Sequence, residues 1–453
     1  MFCACSTNFG DPPNTNVCPV CLGLPGSLPV PNEGAVRLAV RAAMALGCQV
    51  HNVSIFARKN YFYPDLPKGY QISQFEQPLA TRGQLDIGTL QAPHLIGVTR
   101  LHLEEDAGKS LHDRFPGLTA VDFNRCGTPL IEIVSEPDLR APEEARRYLT
   151  TLKRILEYLE VSDCNMEEGS LRVDANLSVR RPGAPLGTKQ EVKNMNSFAA
   201  VERALQQLRD RQTDTLDAGG KITLTTFTAR TGDLTPMRVK EESHDYRYFP
   251  EPDLPPLDLE SYGIHLADER QHLPELPRER QVRFEKMYPQ LSTYDAGVLT
   301  ATRALADYFE GWVRVGADPK SAANWVMGAG LADYNEHGRF RVSPDRGFAL
   351  IKLVDAGTVS LQAAKQAFTV LGDHPGEEPS TVVERLGLVQ IGDADQLATW
   401  VDGVLDANPG EVRRYQGGEE KLLAFFTGQV MKASRGKADP KRVQEILRER
   451  LGG

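Results

Sequence analysis

Two glutamates in apolar strand patterns are the first residues of this chain whose placement suggests chemistry. Side chains alternate between the two faces of a β-strand, so Glu105 ends the face of the stretch VTRLHLEED that carries its two leucines. In the stretch PLIEIVS, Glu132 falls on the same face as Leu130 and Val134. A buried carboxylate is costly unless it is protonated, paired with a cation or bound to a metal ion. The two glutamates therefore predict the beginning of a Mg²⁺ site.

Two other interpretations of these glutamates stay open. The assignment of strand faces could be wrong by one residue. Alternatively, Arg100 or Arg125 could neutralise the carboxylates, because buried charges in proteins are commonly paired. The strand patterns alone do not decide between these interpretations and a metal site.

Four cysteines near the start of the chain have the spacing of a structural zinc site. Cys3 and Cys5 form one close pair and Cys18 and Cys21 a second, with twelve residues between the pairs. Two close pairs across a short loop can bring four thiolates into the tetrahedron that zinc prefers. Four protein ligands close such a site, so it would be structural and not catalytic. Four reduced thiols in a turn-rich segment are the alternative.

Basic and aromatic side chains alternate in the segment FARKNYFYPDLPKGYQISQ, residues 56–74. This mixture suits a phosphate beside a flat base or a ribose, and Lys59 is a candidate phosphate contact. The turn signals Pro64-Asp65 and Pro67-Lys68-Gly69 predict that the segment is a loop. A cationic rim whose alkyl chains cover aromatic side chains would give the same composition.

The stretch AGKS, residues 107–110, imitates the end of a phosphate-binding P-loop. The motif requires a glycine five residues before Gly108, but Leu103 occupies that position, inside a predicted strand. The sequence contains no G-x-G-x-x-G motif either. Any nucleotide site would therefore use a sheet surface and a metal ion.

Two further predicted strands carry polar faces. Arg172 and Asp174 alternate with apolar residues in the stretch LRVDANLSV, which follows Glu168, and Lys193 belongs to a similar alternation over residues 188–194. A polar face can be the solvated side of an antiparallel sheet. Two such faces could also line a single cleft.

Composition limits the class of protein. A chain of 453 residues exceeds a single hydrophobic core and predicts two or three domains. Its net charge of −9 argues against nonspecific nucleic-acid binding by the whole surface, so any RNA contact needs a local basic patch. The sequence has no apolar run of membrane-spanning length and no signal peptide, and its seven cysteines suit a reducing compartment. We expect a cytoplasmic protein without membrane contact.

Proline and glycine divide the chain into three predicted domains, residues 1–272, 273–383 and 384–453. A proline-rich segment at 251–289 marks the first boundary, and the stretch GDHPGEEP at 372–379 precedes the second. From Glu411 to the end there are ten Lys or Arg and six Asp or Glu, a net charge of +4. This asymmetry predicts a tail that touches RNA, although a helix with ordinary surface charge is the alternative.

Six long motifs resemble the GatB family, the B subunits of tRNA-dependent amidotransferases, and the resemblance covers nearly the whole chain. The motifs are NTNVCPVCLGLPGSLPV at 14–30, RKNYFYPDLPKGYQISQF at 58–75, LHLEEDAGKS at 101–110, TPLIEIVSEPD at 128–138, SDCNMEEGSLRVDAN at 162–176 and DYRYFPEPDLPP at 245–256.

The resemblance implies an α+β fold. Its first domain would be a mainly antiparallel-sheet cradle with covering helices and a glutamine synthetase-like kinase core. An all-α domain and a small helical tail that binds tRNA would follow. The family's first strand, which carries a Glu and a His of its metal site, precedes the position of Met1. We therefore expect the encoded protein to begin upstream of Met1.

The resemblance also implies an ATP-dependent, glutamine-hydrolysing amidotransferase, a ligase that forms C–N bonds. In this family the B subunit would use ATP and Mg²⁺ to phosphorylate the side-chain carboxylate of Glu-tRNA(Gln) or Asp-tRNA(Asn). Ammonia from the glutaminase A subunit would displace the phosphate, and a small C subunit would complete a heterotrimer. A scaffold that positions tRNA without catalysis is the alternative. The implied catalytic residues are Glu105 and Glu132, both also Mg²⁺ ligands, with Glu168 and Asp174 for metal binding or substrate orientation; Lys59, Arg172 and Lys193 would contact phosphate.

Overall fold

The computed structural model of the chain describes residues 1–229, 232–237, 246–390, 394–434 and 436–452. The chain divides into two compact units, Met1–Glu279 and Arg280–Gly453. The first unit combines helices with several small sheets and the second is helical, so the predicted α+β class is confirmed. Asp245, which opens one of the six motifs, lies outside the described residues.

The first unit contains most of the strands. In chain order, its elements are α1 Pro19–Leu22, α2 Glu33–Ala45, β1 Gln49–Val50, β2 Val53–Ser54, β3 Phe56–Asn60, β4 Tyr70–Gln74, β5 Ala80–Asp86, β6 Leu95–Glu105, β7 Lys109–Phe115, β8 Leu118–Asp122, β9 Pro129–Ser135, α3 Pro142–Tyr158, β10 Ala175–Leu177, β11 Gln190–Lys193, α4 Phe198–Asp217, β12 Thr226–Thr228, β13 Thr235–Pro236, β14 Phe249–Pro250, β15 Leu257–Asp258, a 3₁₀ turn at Glu260–Tyr262 and α5 Leu266–Gln271.

Three sheets organise this unit. The largest has the strand order β1-β5-β6-β9 and is antiparallel throughout. A second follows the order β10-β11-β12-β13, with a parallel pair at β11 and β12, and a third the order β14-β3-β4. The pairs β15-β2 and β7-β8 stand apart from them.

Helices cover the sheets because each has one apolar stripe. Asn32 caps α2, and its side chain accepts a hydrogen bond from the backbone amide of Ala35. Helix α3 begins at Pro142 and buries residues spaced three or four apart, among them Leu149 and Leu152. Both helices contribute to the same apolar core as β6.

Side chains, and not a backbone ladder, join β4 to β6. The Gln74 carboxamide oxygen accepts hydrogen bonds from the backbone amides of Leu103 at 3.1 Å and Leu79 at 3.0 Å. Gln71 Nε2 donates to the carbonyl oxygen of Glu105 at 2.7 Å, and the Ile72 amide donates to the carboxylate of the same residue at 3.0 Å. These bonds hold the third sheet against the first, next to the predicted metal ligands.

The second unit consists of short helices. They are α6 Pro277–Met287, which begins in the first unit, α7 Thr293–Leu299, α8 Arg303–Arg314, α9 Pro319–Trp325, a π-helical turn at Val326–Gly330, α10 Leu331–His337, α11 Pro344–Asp355, α12 Leu361–Asp373, α13 Pro379–Arg385, α14 Ala394–Ala407, α15 Pro409–Gln416, α16 Leu422–Ala433 and α17 Pro440–Leu451.

Two apolar cores lie within the second unit. One extends from Phe284 to Val383 and contains the buried side chains of Trp312 and Trp325. The other extends from Leu397 to Leu451. In the described parts of the chain, no helix has the length and apolar character needed to cross a membrane.

Candidate metal and phosphate site

Strand β6 presents an apolar face and a polar face. Leu101 and Leu103 are buried in the core, and Glu105 continues their face, as the sequence predicts. His102 and Glu104 point to the other face because side chains alternate along a strand. The polar face of β6 thus carries an imidazole and a carboxylate that the sequence predictions did not use.

Strand β9 places Glu132 on the polar face. Glu132 lies directly opposite His102 in the antiparallel ladder, and directly opposite residues share a face of the sheet. The core-facing residues of β9 are Ile131 and Ile133. The structure therefore does not bring Glu105 and Glu132 to one face of the sheet. The stretch PLIEIVS is apolar on both faces apart from its glutamate, so its alternation could not identify the core face.

His102, Glu104 and Glu132 form a cluster with the composition of a cation site. One ligand atom from each residue lies within 4.8 Å of the others. His102 Nε2 is 3.7 Å from Glu104 and 4.0 Å from Glu132, too far for hydrogen bonds, and His102 Nδ1 is buried with no hydrogen-bond partner among the described residues. A divalent cation bound by His102 Nε2 and the two carboxylates would engage all three side chains, so the residues fit Mg²⁺.

The charges around the cluster favour the ionised form of Glu104. Burial opposes ionisation of Glu104, but the His102 ring, Lys59 and a hydrogen bond from Ser73 lower the pKa of Glu104 below its usual value. Arg100 lies 3.9 Å from Glu132, a loose ion pair at a carboxylate whose side chain is 44% exposed. The neutralising role suggested for Arg100 is thus partly present and leaves Glu132 accessible.

Glu105 belongs to a buried ion pair on the other face of β6. Its carboxylate accepts hydrogen bonds from the Lys68 ammonium and from the backbone amide of Ile72. The side chains of Lys68 and Glu105 are only 7% and 3% exposed. In the structure Glu105 is thus paired with a cation. Lys68 pairs with it from a position 37 residues earlier in the chain.

Two arginines converge on Asp106, the next residue of the polar face. Arg125 Nε is 2.9 Å from Asp106 Oδ2, and Arg172 Nη2 donates to the same oxygen. Arg125 thus pairs with Asp106 and not with either predicted glutamate. The carboxylate is almost fully buried, whereas the Arg172 side chain is about half exposed. One carboxylate between two guanidinium groups leaves positive charge on a surface that suits phosphate.

The predicted polar strand faces meet in part. Lys193 Nζ contacts Asp174 at 2.9 Å and Glu191 at 3.2 Å, and these acids raise the pKa of Lys193 although burial acts in the opposite direction. The strand predicted through Arg172 is shorter, because only Ala175–Leu177 pairs with β11. Glu168 is half-buried and precedes Gly169, which lies beside Arg125.

The basic and aromatic segment is not a single loop, so this prediction is wrong. Its two ends pair as β3 and β4, with Asn60 opposite Tyr70, and only the residues between them turn. Alternation of side chains across the hairpin, and not loop composition, explains the mixture. Lys59 Nζ lies 4.9 Å from the centre of the Tyr246 ring and 5.9 Å from that of Tyr61.

The four cysteines form a compact group. Cys21 Sγ lies 3.4 Å from Cys3 Sγ, 3.5 Å from Cys18 Sγ and 3.8 Å from Cys5 Sγ. Burial opposes ionisation of Cys18, but hydrogen bonds from the Cys21 amide and from neighbouring thiols outweigh it and lower the pKa of Cys18 to about 7. Four sulfurs gathered this closely fit the tetrahedral zinc site that the spacing of the cysteines predicts.

Comparison with known proteins identifies the family. The family model described as the GatB/GatE catalytic domain matches residues 1–265, and the model described as the GatB domain matches residues 307–451. The chain belongs to the GatB family. Similar proteins, named as the B subunits of aspartyl/glutamyl-tRNA(Asn/Gln) amidotransferases, occur in Solidesulfovibrio magneticus, 50% identical, and Chlorobium phaeobacteroides, 49% identical. Each alignment covers 100% of this chain and 96% of the relative.

The candidate sites of this GatB chain all lie in the part matched as the catalytic domain. The cluster around His102, the arginines at Asp106 and the cysteine group fall within residues 1–265. The sequence predictions missed His102, Glu104 and Lys68. The polar alternation of LHLEED is a signal for His102 and Glu104. No local pattern indicates that Lys68 pairs with Glu105.

Proposed function

We propose that this GatB chain is the phosphorylating subunit of an ATP-dependent aminoacyl-tRNA amidotransferase. It phosphorylates the side-chain carboxylate of Glu-tRNA(Gln) or Asp-tRNA(Asn), and ammonia released from glutamine then displaces phosphate to give Gln-tRNA(Gln) or Asn-tRNA(Asn). The names of the relatives support this assignment. The observation that carries it is the placement of a cation cluster and two arginines on one face of β6.

The spacing along β6 suits phosphoryl transfer. His102 and Glu104 alternate along one face of β6, where alternate residues are about 7 Å apart, and Asp106 follows directly after the strand. His102, Glu104 and Glu132 would hold Mg²⁺, which when bound supplies positive charge to nucleotide phosphates. Arg172 and Arg125, fixed by Asp106, neutralise charge that develops on the transferred phosphoryl group.

Four further polar residues have proposed roles in the cleft. Lys193 forms an ion pair with Asp174 and contacts a phosphate or carboxylate of the substrate. Asp174 orients the substrate. Lys59 lies over aromatic rings and contacts phosphate, and Glu168 orients the substrate beside Arg125. The first unit is thus proposed to be the catalytic cradle, with a glutamine synthetase-like kinase core.

The protein is proposed to act in a cytoplasmic heterotrimer with a glutaminase A subunit and a small C subunit. The relatives are named as one subunit of an amidotransferase, which supports a complex. Residues 384–453 form the proposed tRNA-binding tail and 273–383 the helical domain. The net charge of +4 after residue 410 supports RNA contact, although pairs such as Arg450 with Asp402 use part of it. Arg435, one of its cations, lies outside the described residues.

The assignment is tested by ATP hydrolysis in the assembled complex. We expect ADP to form when Glu-tRNA(Gln) or Asp-tRNA(Asn) is present and not with uncharged tRNA. A positioning scaffold would hydrolyse no ATP under either condition, and this outcome would overturn the proposal.

Because the tail contacts backbone phosphates, KM for the charged tRNA should rise with salt concentration. An unchanged KM would argue against the tail contact.

The cysteine group is proposed to hold structural zinc. We expect metal analysis of the purified protein to find a single zinc ion per chain, bound by Cys3, Cys5, Cys18 and Cys21. A chelator should remove the metal and make the thiols reactive, because zinc-bound thiolates are shielded. Protein that contains no zinc and has four freely reactive thiols would contradict the assignment.

A further inference from the structure

The cysteine segment lies directly against the buried ion pair. Helix α1 carries Cys21 and ends at Leu22, and Gly23 caps it in the left-handed region with φ of +61°. A Cβ atom on Gly23 would lie 2.3 Å from Lys68 Cγ and 3.2 Å from Lys68 Cδ. The Gly23 backbone therefore packs on the alkyl chain of Lys68 with no room for a side chain.

A second contact connects the segment to the other member of the pair. The Cys126 thiol donates a hydrogen bond to the carbonyl oxygen of Cys21 at 3.1 Å. At the next residue, a Cβ on Gly127 would lie 3.8 Å from Cys21 Sγ and 3.9 Å from Glu105 Oε2. The cysteine group thus borders Lys68 through Gly23 and Glu105 through Gly127.

The ion pair in turn fixes two sheets. The Glu105 carboxylate accepts a hydrogen bond from the Ile72 amide, and the Glu105 carbonyl oxygen accepts one from the Gln71 side chain. Glu105 therefore attaches β4 to β6. Its sequence neighbours Glu104 and Asp106 point to the polar face that carries the candidate site. A shift of Glu105 would therefore move groups on both faces of β6.

We propose that the zinc-loaded cysteine segment positions the catalytic face, by holding Lys68 against Glu105 through Gly23. The inference rests on the zinc site and the function proposed above, but its geometric part is independent of the reaction. Lys68 and Glu105 are positioning residues, since neither reaches the polar face. The zinc segment therefore does more than stabilise the fold, because zinc binding by its cysteines affects the positions of Glu104 and Asp106.

Hydrogen exchange tests the geometric part in the assembled complex. Chelation of zinc should accelerate exchange of the Ile72 amide, whose acceptor is Glu105, by about tenfold or more. A peptide from β5, Ala80–Asp86, should keep its exchange rate. Unchanged exchange at Ile72, or equal acceleration throughout the first unit, would overturn the proposal. Neither outcome depends on whether the protein hydrolyses ATP.

Two glycine variants test the contact itself. Gly23→Ala and Gly26→Ala both place alanine at a positive φ, of +61° and +86°, but nothing lies within 4 Å of a Cβ on Gly26. We expect Gly23→Ala to retain zinc, to accelerate Ile72 exchange, and to lower kcat of the tRNA-dependent ATP hydrolysis by about tenfold or more with KM for ATP nearly unchanged. Gly26→Ala should match the parent.

Equal behaviour of the two variants would overturn the contact with Lys68. If both the parent and the variants lack ATP hydrolysis while Gly23→Ala still accelerates Ile72 exchange, the proposed function fails and the positioning contact stands. If Gly23→Ala does not fold, the chelation experiment on the unaltered chain decides the proposal.

Discussion

Replacement of Glu132 by Gln should lower kcat of the tRNA-dependent ATP hydrolysis by roughly 100-fold or more, because metal charge contributes several kcal/mol to phosphoryl transfer and about 1.4 kcal/mol corresponds to tenfold. Gln keeps the volume of the side chain and removes its charge. The cluster with His102 and Glu104 would then have a single carboxylate. We expect the Mg²⁺ concentration for half-maximal activity to rise as well.

A matched control lies four residues further along the chain. Glu136 is exposed and contacts Thr99, outside the cluster, so Glu136→Gln should leave both kcat and the Mg²⁺ dependence near those of the parent. Assembly with the partner subunits should be the same for both variants. Near-normal activity of Glu132→Gln would show that the cluster does not hold the catalytic metal.

Replacement of Glu105 by Gln should act first on stability. The change leaves the Lys68 ammonium buried without a counterion, which costs about 3–5 kcal/mol in comparable cases. The free energy of unfolding, measured with urea, should fall by about that amount. The double variant Lys68→Met with Glu105→Gln removes both charges and should recover much of the loss, because apolar replacement of a buried pair is often nearly neutral.

The same variants separate the two roles considered for Glu105. If Glu105→Gln keeps the stability of the parent and loses ATP hydrolysis, Glu105 is a metal ligand and its placement with Lys68 does not describe the working enzyme. If the variant loses stability and the double variant regains it, the ion pair is structural. Glu132→Gln provides the contrast, since a half-exposed carboxylate should contribute little to stability.

The sequence predicts the local features of the site better than it predicts which residues pair with each other. Alternation in LHLEED assigned Glu105 to the core face, and the spacing of the cysteines identified a group that does come together. Alternation in PLIEIVS failed because both faces are apolar. Lys68 and Arg125 could not be matched to Glu105 and Asp106, since those pairs depend on how distant segments pack.

The predicted secondary structure follows the same division. Helices α2 and α3 each have a start signal and an apolar stripe within their own sequence, so local residues are enough to indicate them. The turn signals of residues 56–74 predict a loop where β3 and β4 form a hairpin, because these signals are local whereas the pairing of the two ends is not. Candidate site residues on paired strands are therefore the ones that sequence patterns place least well.

The attachment of β4 to β6 has a consequence for how this region can evolve. A backbone ladder tolerates most substitutions, because every residue supplies the same amide and carbonyl groups. Here the attachment depends on the side chains of Gln71, Gln74 and Glu105, so a change at one of them removes acceptors or donors that the others cannot replace. These three positions should be inherited together.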